Sequence, residues 1–254
     1  MSAHAGKAAS RLVQNFPPGG STASPLNLAY RLAKIQKHVL LKGKWLDYGC
    51  ADGAYTVGLA KLGAESVVGV EVIEDRVADA GKLAQGGSGV EFFHVLAESL
   101  PFADASFDGV LMNEVLEHVR NEGLTLKEIH RVLRTEGHLV VMSPNRWFPF
   151  EGHGGRIGNL QLRHPVPLLP WLPRRIGQRF MHARNYWPYE LRDLIADHGF
   201  LIRKVDFVWP VLEIYPWLPS ALIRLYQKLI PWFEQIPLLN RFGVSILVAA
   251  QKSS

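Results

Sequence analysis

Between Lys44 and Ser143, apolar runs of six or seven residues alternate with amphipathic stretches, and nothing else in the 254-residue chain limits its fold as tightly. KWLDYG (44–49), SVVGVEV (66–72), VEFFHVL (90–96), FDGVLMN (107–113) and GHLVVMS (137–143) read as strands. Residues 54–62, 74–83 and 124–133 between them read as helices. Strands that are apolar on both faces and separated by helices belong to a parallel sheet covered on each side. A further helix spans 187–200 and stops at Gly199, a residue suited to the left-handed turn that closes helices. Two more strands follow, at 201–209 and 244–250. The expectation is an α/β, doubly wound, mostly parallel sheet of seven strands with helices on both faces.

The ends of the chain differ in composition from its middle. Residues 1–24 are small and polar and lack the apolar stretch of a secretory signal, so a flexible N-terminal tail is expected there. Ser24-Pro25 opens a helix with Leu28, Leu32, Ile35 and Val39 on one face. Six of seven tryptophans and twelve of sixteen prolines lie from residue 144 onward. This shift reads as insertions at about 144–186 and 210–242 within a single domain over 25–254. Cys50 is the one cysteine, which excludes an internal disulfide framework and fits a reducing, cytoplasmic setting.

Charge is segregated along the chain. Residues 1–46 carry seven bases and no acid; 47–143 carry seven bases and sixteen acids; 144–254 carry fourteen bases and seven acids. An acidic centre argues against one continuous nucleic-acid-binding face. HPVPLLPWLPRR (164–175) and WLPSALIRLYQKLIPWF (217–233) mix Leu, Ile and Trp with bases, and in the second Arg224, Gln227, Lys228 and Glu234 fall on one helical side. Such segments suit a peripheral membrane contact, a helical lid or a dimer contact. No charge-free run approaches the roughly 18 residues of a membrane span.

The sharpest local signal is WLDYGCADGAYT (45–56). A strand ends at Asp47, and Gly49 and Gly53 bracket a tight turn into a helix, where glycine permits positive φ and close approach of a ligand. Glu71 closes the next strand, 24 residues after Asp47, where a carboxylate suits the hydroxyls of a ribose. The row Gly49-Cys50-Ala51-Asp52-Gly53-Ala54 departs from the dinucleotide spacing G-x-G-x-x-G. Asp47 and Asp52 would repel a pyrophosphate but accept a ligand bearing an ammonium and a sulfonium. A nicotinamide-dependent reductase is thereby disfavoured, and a protein that binds such a ligand without catalysis stays open.

Asp47-Tyr48-Gly49-Cys50-Ala51-Asp52-Gly53 resembles the first motif, D/E-x-G-x-G-x-G, of the class I, seven-stranded S-adenosylmethionine-dependent methyltransferases, particularly the group containing quinone and small-molecule methyltransferases. AESLPFADASFDGVLMNEVLEHV (97–119) and RVLRTEGHLVVMSPN (131–145) resemble later segments of that family. The resemblance implies a last strand that enters antiparallel, and S-adenosyl-L-methionine as cofactor. It implies that Asp47 and the backbone of Gly49, Cys50, Ala51 and Gly53 hold the methionine end. Glu71, with Val72 beside it, would hold the ribose; Ala97 and Glu98 would flank the adenine; Asn113 would complete the set. Leu96 stands where the family often has an acid.

Methyl transfer needs an acceptor held in line and shielded from water, and a base where the acceptor must lose a proton. His118, after the fourth strand, is one candidate base. Glu151 and His153, two apart in the glycine-rich stretch SPNRWFPFEGHGGR (143–156), form a candidate acid–base pair beside Trp147, Phe148 and Phe150. His153, His164 and Glu151 lack a recognisable ligand spacing, so no metal is expected. The acceptor is expected to be a small molecule, a lipid-like molecule or a glycan, lipid-linked glycans included, methylated at oxygen.

Overall fold

Successive side chains of a strand point to opposite faces, so each strand of a covered sheet feeds two cores. The computed structural model, which describes residues 25–83, 89–96, 99–162, 165–177, 179–212 and 218–253, follows this rule. The tail expected over 1–24 lies outside the described residues. In chain order the elements are α1 (Pro25–His38), β1 (Lys44–Tyr48), α2 (Ala54–Lys61), β2 (Ser66–Glu71), α3 (Glu74–Leu83), β3 (Val90–His94), β4 (Phe107–Asn113), α4 (Glu122–Val132) and β5 (Leu133–Pro144). Short strands β6 (Phe150–Glu151), β7 (Gly155–Ile157), β8 (Leu160–Leu162) and β9 (Val166–Pro167) follow, then α5 (Arg174–Gly177). The chain closes with α6 (Pro188–Ala196), β10 (Phe200–Val208), α7 (Ser220–Gln235), α8 (Pro237–Asn240) and β11 (Ser245–Lys252).

Seven strands form one sheet in the order β10-β11-β5-β4-β1-β2-β3. β11 runs antiparallel to both neighbours, and the remaining pairs are parallel. Leu46, Val110, Leu139, Val141 and Val248 enter one core with Leu126 and Ile129 of α4 and Leu191 and Ile195 of α6. Trp45, Leu111, Val140, Met142 and Leu247 enter the other, beneath Leu32 and Ile35 of α1 and Leu59 of α2. Full burial of each such aliphatic side chain contributes about 1.5–3 kcal/mol. The sheet order reverses between β1 and β4, and the crevice beyond the carboxyl ends of strands at such a point is where ligands bind in open α/β sheets.

Several boundaries differ from the sequence reading, among them the helix read over 187–200, which is α6, Pro188–Ala196. The helix expected from Leu124 starts at Glu122, because the Asn121 side chain caps it by accepting from the Leu124 amide at 3.0 Å. The fifth strand starts at Leu133 rather than Gly137; Leu133 pairs with Phe107, and a register shift is absorbed before Gly109 meets His138. In the proline-rich 217–240 stretch, α7 runs through Pro231. No helix among the described residues is long and apolar enough to cross a membrane.

α7 is oriented differently from what the polar side of its sequence suggests. Glu234 meets Lys34 of α1 at 2.9 Å and accepts from the Tyr30 hydroxyl, while Gln227 donates to the Val211 carbonyl at 3.0 Å. These two polar residues therefore face the protein. Leu222, Leu225, Leu229 and Trp232 face outward and are exposed. The reason is a buried ionic network: Lys34 also reaches Asp206 at 3.1 Å, and His38 reaches the same carboxylate at 2.8 Å. Burial alone would raise the Asp206 carboxyl, but the His38 hydrogen bond and the Lys34 charge hold it far below the usual range.

A second buried pair ties α1 to the carboxyl edge of the sheet. Arg31, buried, donates to Glu114 at 2.7 Å, to Asn113 at 3.1 Å and to the Ser245 hydroxyl at 2.9 Å. Truncating one partner of a buried pair leaves the other charge uncompensated. Arg31→Ala is expected to lower the unfolding free energy by about 3–5 kcal/mol in urea denaturation; an unchanged midpoint and slope would contradict this anchoring role.

Candidate active site

The turn after β1 is built on positive backbone angles: φ is +78° at Gly49, +48° at Ala51 and +81° at Gly53. A Cβ at Gly49 would lie 2.6 Å from Val115 Cγ2, and one at Gly53 would lie 2.7 Å from Phe92 Cζ. Both positions therefore need glycine for space as well as for conformation. The amides of Gly49 and Cys50 donate to the Val70 carbonyl, at 2.8 and 3.0 Å, so the turn is pinned to the end of β2.

Glu71 adds a second pin. Its Oε2 accepts from the Ala51 amide at 3.1 Å; its Oε1 accepts from the amides of Val72 at 2.7 Å and Ile73 at 3.1 Å. A carboxylate offers about four acceptor positions. Three are filled, so the side chain keeps about one for a ligand hydroxyl, rather than the pair that a ribose presents. Asp47 is buried and accepts from the Thr56 hydroxyl at 2.7 Å. Burial, reinforced by the neighbouring charges of Glu71 and Asp52, pushes its carboxyl up to about 7, against the Thr56 bond. Burial likewise pushes the Cys50 thiol up, so this cysteine is an inert wall residue.

A second cluster lies past the end of β4. Glu114 adopts φ +56°, and Arg31 overrides the effect of its burial to hold its carboxyl below the usual range. Glu117 is buried and accepts from the Ser143 hydroxyl at 3.1 Å; burial and the Glu114 charge push its carboxyl well up. The rings of His118 and His153 meet edge to face with centroids 5.2 Å apart. Burial, and then the His153 charge, push the His118 imidazole down to about 3, so it is neutral near pH 7. His153 Nδ1 lies 3.1 Å from Glu151 Oε1, and its amide donates to the same oxygen at 2.9 Å. That bond and the Glu151 charge raise the His153 imidazole above its usual value despite burial.

The fold thus brings His118, Glu151 and His153, which sequence reading kept in two separate groups, into one cluster. It places Asp47, Gly49, Cys50, Ala51, Gly53, Glu71 and Val72 together around the turn, and Asn113 at the end of β4 with its side chain on Arg31. Ala97 and Glu98 lie outside the described residues. Glu117, like His118, was marked only by following the fourth strand, and three participants carried no local signal: Arg31, Ser143 and Asn185, whose amide nitrogen donates to Glu151 Oε2. Their partners are distant in sequence, so no motif spacing marks them. His153, Glu117 and His118 also offer ligand atoms within 4.8 Å of one another, a grouping that the spacing of Glu151, His153 and His164 did not suggest.

Glu71→Ala strands the Ala51, Val72 and Ile73 amides. It is expected to cost about 1–3 kcal/mol of stability in urea denaturation, with Glu71→Gln, which keeps one acceptor oxygen, falling between. A Glu71→Ala protein as stable as the wild type would contradict the pinning role.

Comparison with known proteins bears on the site as a whole. Residues 46–141, from β1 to β5, match the family described as "Methyltransferase domain". The chain is similar to a protein named ubiquinone biosynthesis O-methyltransferase from Parvibaculum lavamentivorans, with 31% identity over 73% of this chain and 73% of the relative. A protein of the same name from Ruegeria pomeroyi is 29% identical over 66% of this chain and 67% of its own length. Across relatives of this name the matched share of their length runs from 59% to 73%. A solved S-adenosylmethionine-dependent methyltransferase from Mesorhizobium loti superposes with a TM-score of 0.59 at 17% identity, covering 87% of this chain and 96% of that one, which is a likeness of fold. With its antiparallel last strand and its acidic glycine turn at the switch point, the chain belongs to the class I S-adenosylmethionine-dependent methyltransferases.

Proposed function

We propose that this methyltransferase acts on a small, apolar, hydroxyl-bearing acceptor, such as a lipid-like phenol, and methylates it at oxygen. The observation that carries the reading is the His118–His153 pair at the carboxyl edge, with His153 braced by buried Glu151. A braced imidazole is suited to take the proton that an attacking hydroxyl must lose. The relatives named ubiquinone biosynthesis O-methyltransferase agree with an oxygen acceptor.

The residues around the turn fit S-adenosylmethionine. Gly49 and Gly53 let the turn pack tightly on Val115 and Phe92 at the switch point, Glu71 keeps about one acceptor position for a ribose hydroxyl, and Asp52, with Asp47 once deprotonated, supplies negative charge. When bound, the cofactor supplies a methyl carbon already activated by its sulfonium. Asp47 is poised to lose its proton as the ligand's positive charge arrives. Trp147 packs against Trp187 at 5.7 Å and Phe242 at 5.5 Å, and Phe148 meets Phe150 at 5.6 Å, so the stretch that carries Glu151 and His153 is rich in aromatic rings. Aromatic lining with a few polar groups suits an apolar acceptor.

The test is transfer of a labelled methyl group to long-chain catechols and phenols in detergent. His153→Ala is expected to lower kcat by roughly 10²–10⁴-fold, the usual contribution of a positioned base, with the cofactor Kd unchanged. Transfer to no hydroxyl acceptor, or full turnover by His153→Ala, would contradict the reading.

We further infer that the acceptor is met at a membrane surface. Leu222, Leu225, Leu229 and Trp232 form an exposed stripe along α7, with Arg224 and Lys228 exposed beside it. Trp171, Leu172 and Ile176 add exposed apolar surface from the other insertion. Apolar stripes bordered by bases suit an anionic bilayer interface. The expected outcome is co-sedimentation with phosphatidylglycerol vesicles, weakened by high salt and lost in Leu225→Glu/Trp232→Ser. Equal recovery of the wild type with and without vesicles would contradict it.

A further inference from the structure

The stretch 144–186 leaves the sheet at the end of β5 and returns just before α6. Its two ends are fastened together: the Tyr186 amide donates to the Pro144 carbonyl at 3.1 Å, and the Arg146 amide to the Tyr186 carbonyl at 2.9 Å. Each of the three residues at the return reaches a different part of the carboxyl edge. Asn185 donates to Glu151, within the stretch. Tyr186, 2% exposed, donates to Glu122 at the start of α4 at 2.6 Å. Arg184 grips the turn between β4 and α4. Its Nη1 donates to the Val119 carbonyl at 2.7 Å and lies 3.4 and 3.5 Å from the carbonyls of Glu117 and Leu116, while Nη2 lies 3.5 Å from that of Arg120.

That turn has little else to hold its backbone. Residues 114–120 form neither helix nor strand. Among the described residues they make one backbone bond within the turn, from the His118 amide to the Val115 carbonyl at 2.9 Å. Four carbonyls gathered around one cation resemble the negative pole of a helix end. A guanidinium carries five N–H donors in a fixed fork, whereas an ammonium is a single point of charge and could not span carbonyls from Leu116 to Arg120.

We propose that Arg184 is a positioning residue for methyl transfer. Its guanidinium clamps the turn after β4 onto the returning end of the 144–186 stretch, so that the two segments flanking the acceptor keep a fixed spacing. Arg184 acts through the backbone it holds. This inference deepens the transferase reading and rests on it, because the spacing matters to the chemistry only where both segments meet the acceptor.

The test compares the full-length wild type with Arg184→Ala and Arg184→Lys. Arg184→Ala is expected to lower kcat for methyl transfer to the phenol acceptor by roughly 10²-fold, the cost of a misplacement of about 1 Å. The S-adenosylmethionine Kd, measured by calorimetry, is expected to stay unchanged. Arg184→Lys falls between, since it keeps the charge and loses the fork. Millimolar guanidinium chloride is expected to restore part of the Arg184→Ala turnover, and sodium chloride at the same concentration none. Hydrogen exchange supplies a readout independent of activity: the amides of 115–120 exchange faster in both variants, while those of β4 and β5 keep wild-type rates. Full turnover by Arg184→Ala would overturn the proposal. So would cofactor affinity falling in step with kcat, absence of guanidinium rescue, or wild-type exchange over 115–120. Failure of the transferase reading is distinguished by the wild type itself transferring no methyl group to a hydroxyl acceptor; the exchange rates then still judge the clamp.

Discussion

The buried contact between Arg31 and Glu114 holds together parts of the molecule that the sheet alone would not. One guanidinium joins α1, the end of β4 and, through Ser245, the start of β11. It also holds Glu114 where the backbone turns through φ +56°. That turn sets the direction of the next four residues, which carry Glu117 into the interior and His118 toward His153. A buried ion pair is a weak source of net stability, because desolvation offsets most of the attraction. Its effect here is on geometry: it fixes where the residues after β4 go.

Electrostatics divide the carboxyl edge into two regions. Around the glycine turn, Asp47 and Glu71 stand close together in a buried setting, and one of them, Asp47, holds its proton more tightly for that reason. Past β4, Glu114 is kept ionised by Arg31, and its charge in turn lifts Glu117. On the proposed function, the first region would take a cationic nucleoside ligand. The second combines neutral imidazole, a braced histidine and a carboxylate, and on the same proposal would serve proton removal from an acceptor. The switch point between β1 and β4 sets the two regions side by side.

The outer surface follows from internal charge pairing. α7 has polar residues on one side, and a helix normally turns such a side to water. Here Lys34 and Tyr30 of α1 capture Glu234, so Glu234 and Gln227 face inward while Arg224 and Lys228 stay exposed beside the leucine stripe.

Most of what was legible in the sequence is local. Strand periodicity gave the sheet, because side-chain alternation is a property of the single strand. The glycine turn was legible because positive φ and lack of space select glycine residue by residue, and Glu71 because it ends the neighbouring strand. The number of acceptor positions left on Glu71 was not legible, since the amides that fill them belong to a turn 20 residues away and to the backbone just beyond the strand. Nor was the joining of His118 with His153, or the roles of Arg31, Asn185 and Ser143. The sequence by itself determined the layered α/β sheet and the acidic, glycine-hinged turn after β1. Only the tertiary structure decided which charges are paired, which face of α7 meets solvent, and which histidines meet. Those outcomes depend on contacts between residues tens to hundreds of positions apart, whose energies are set by burial and distance rather than by any repeat along the chain.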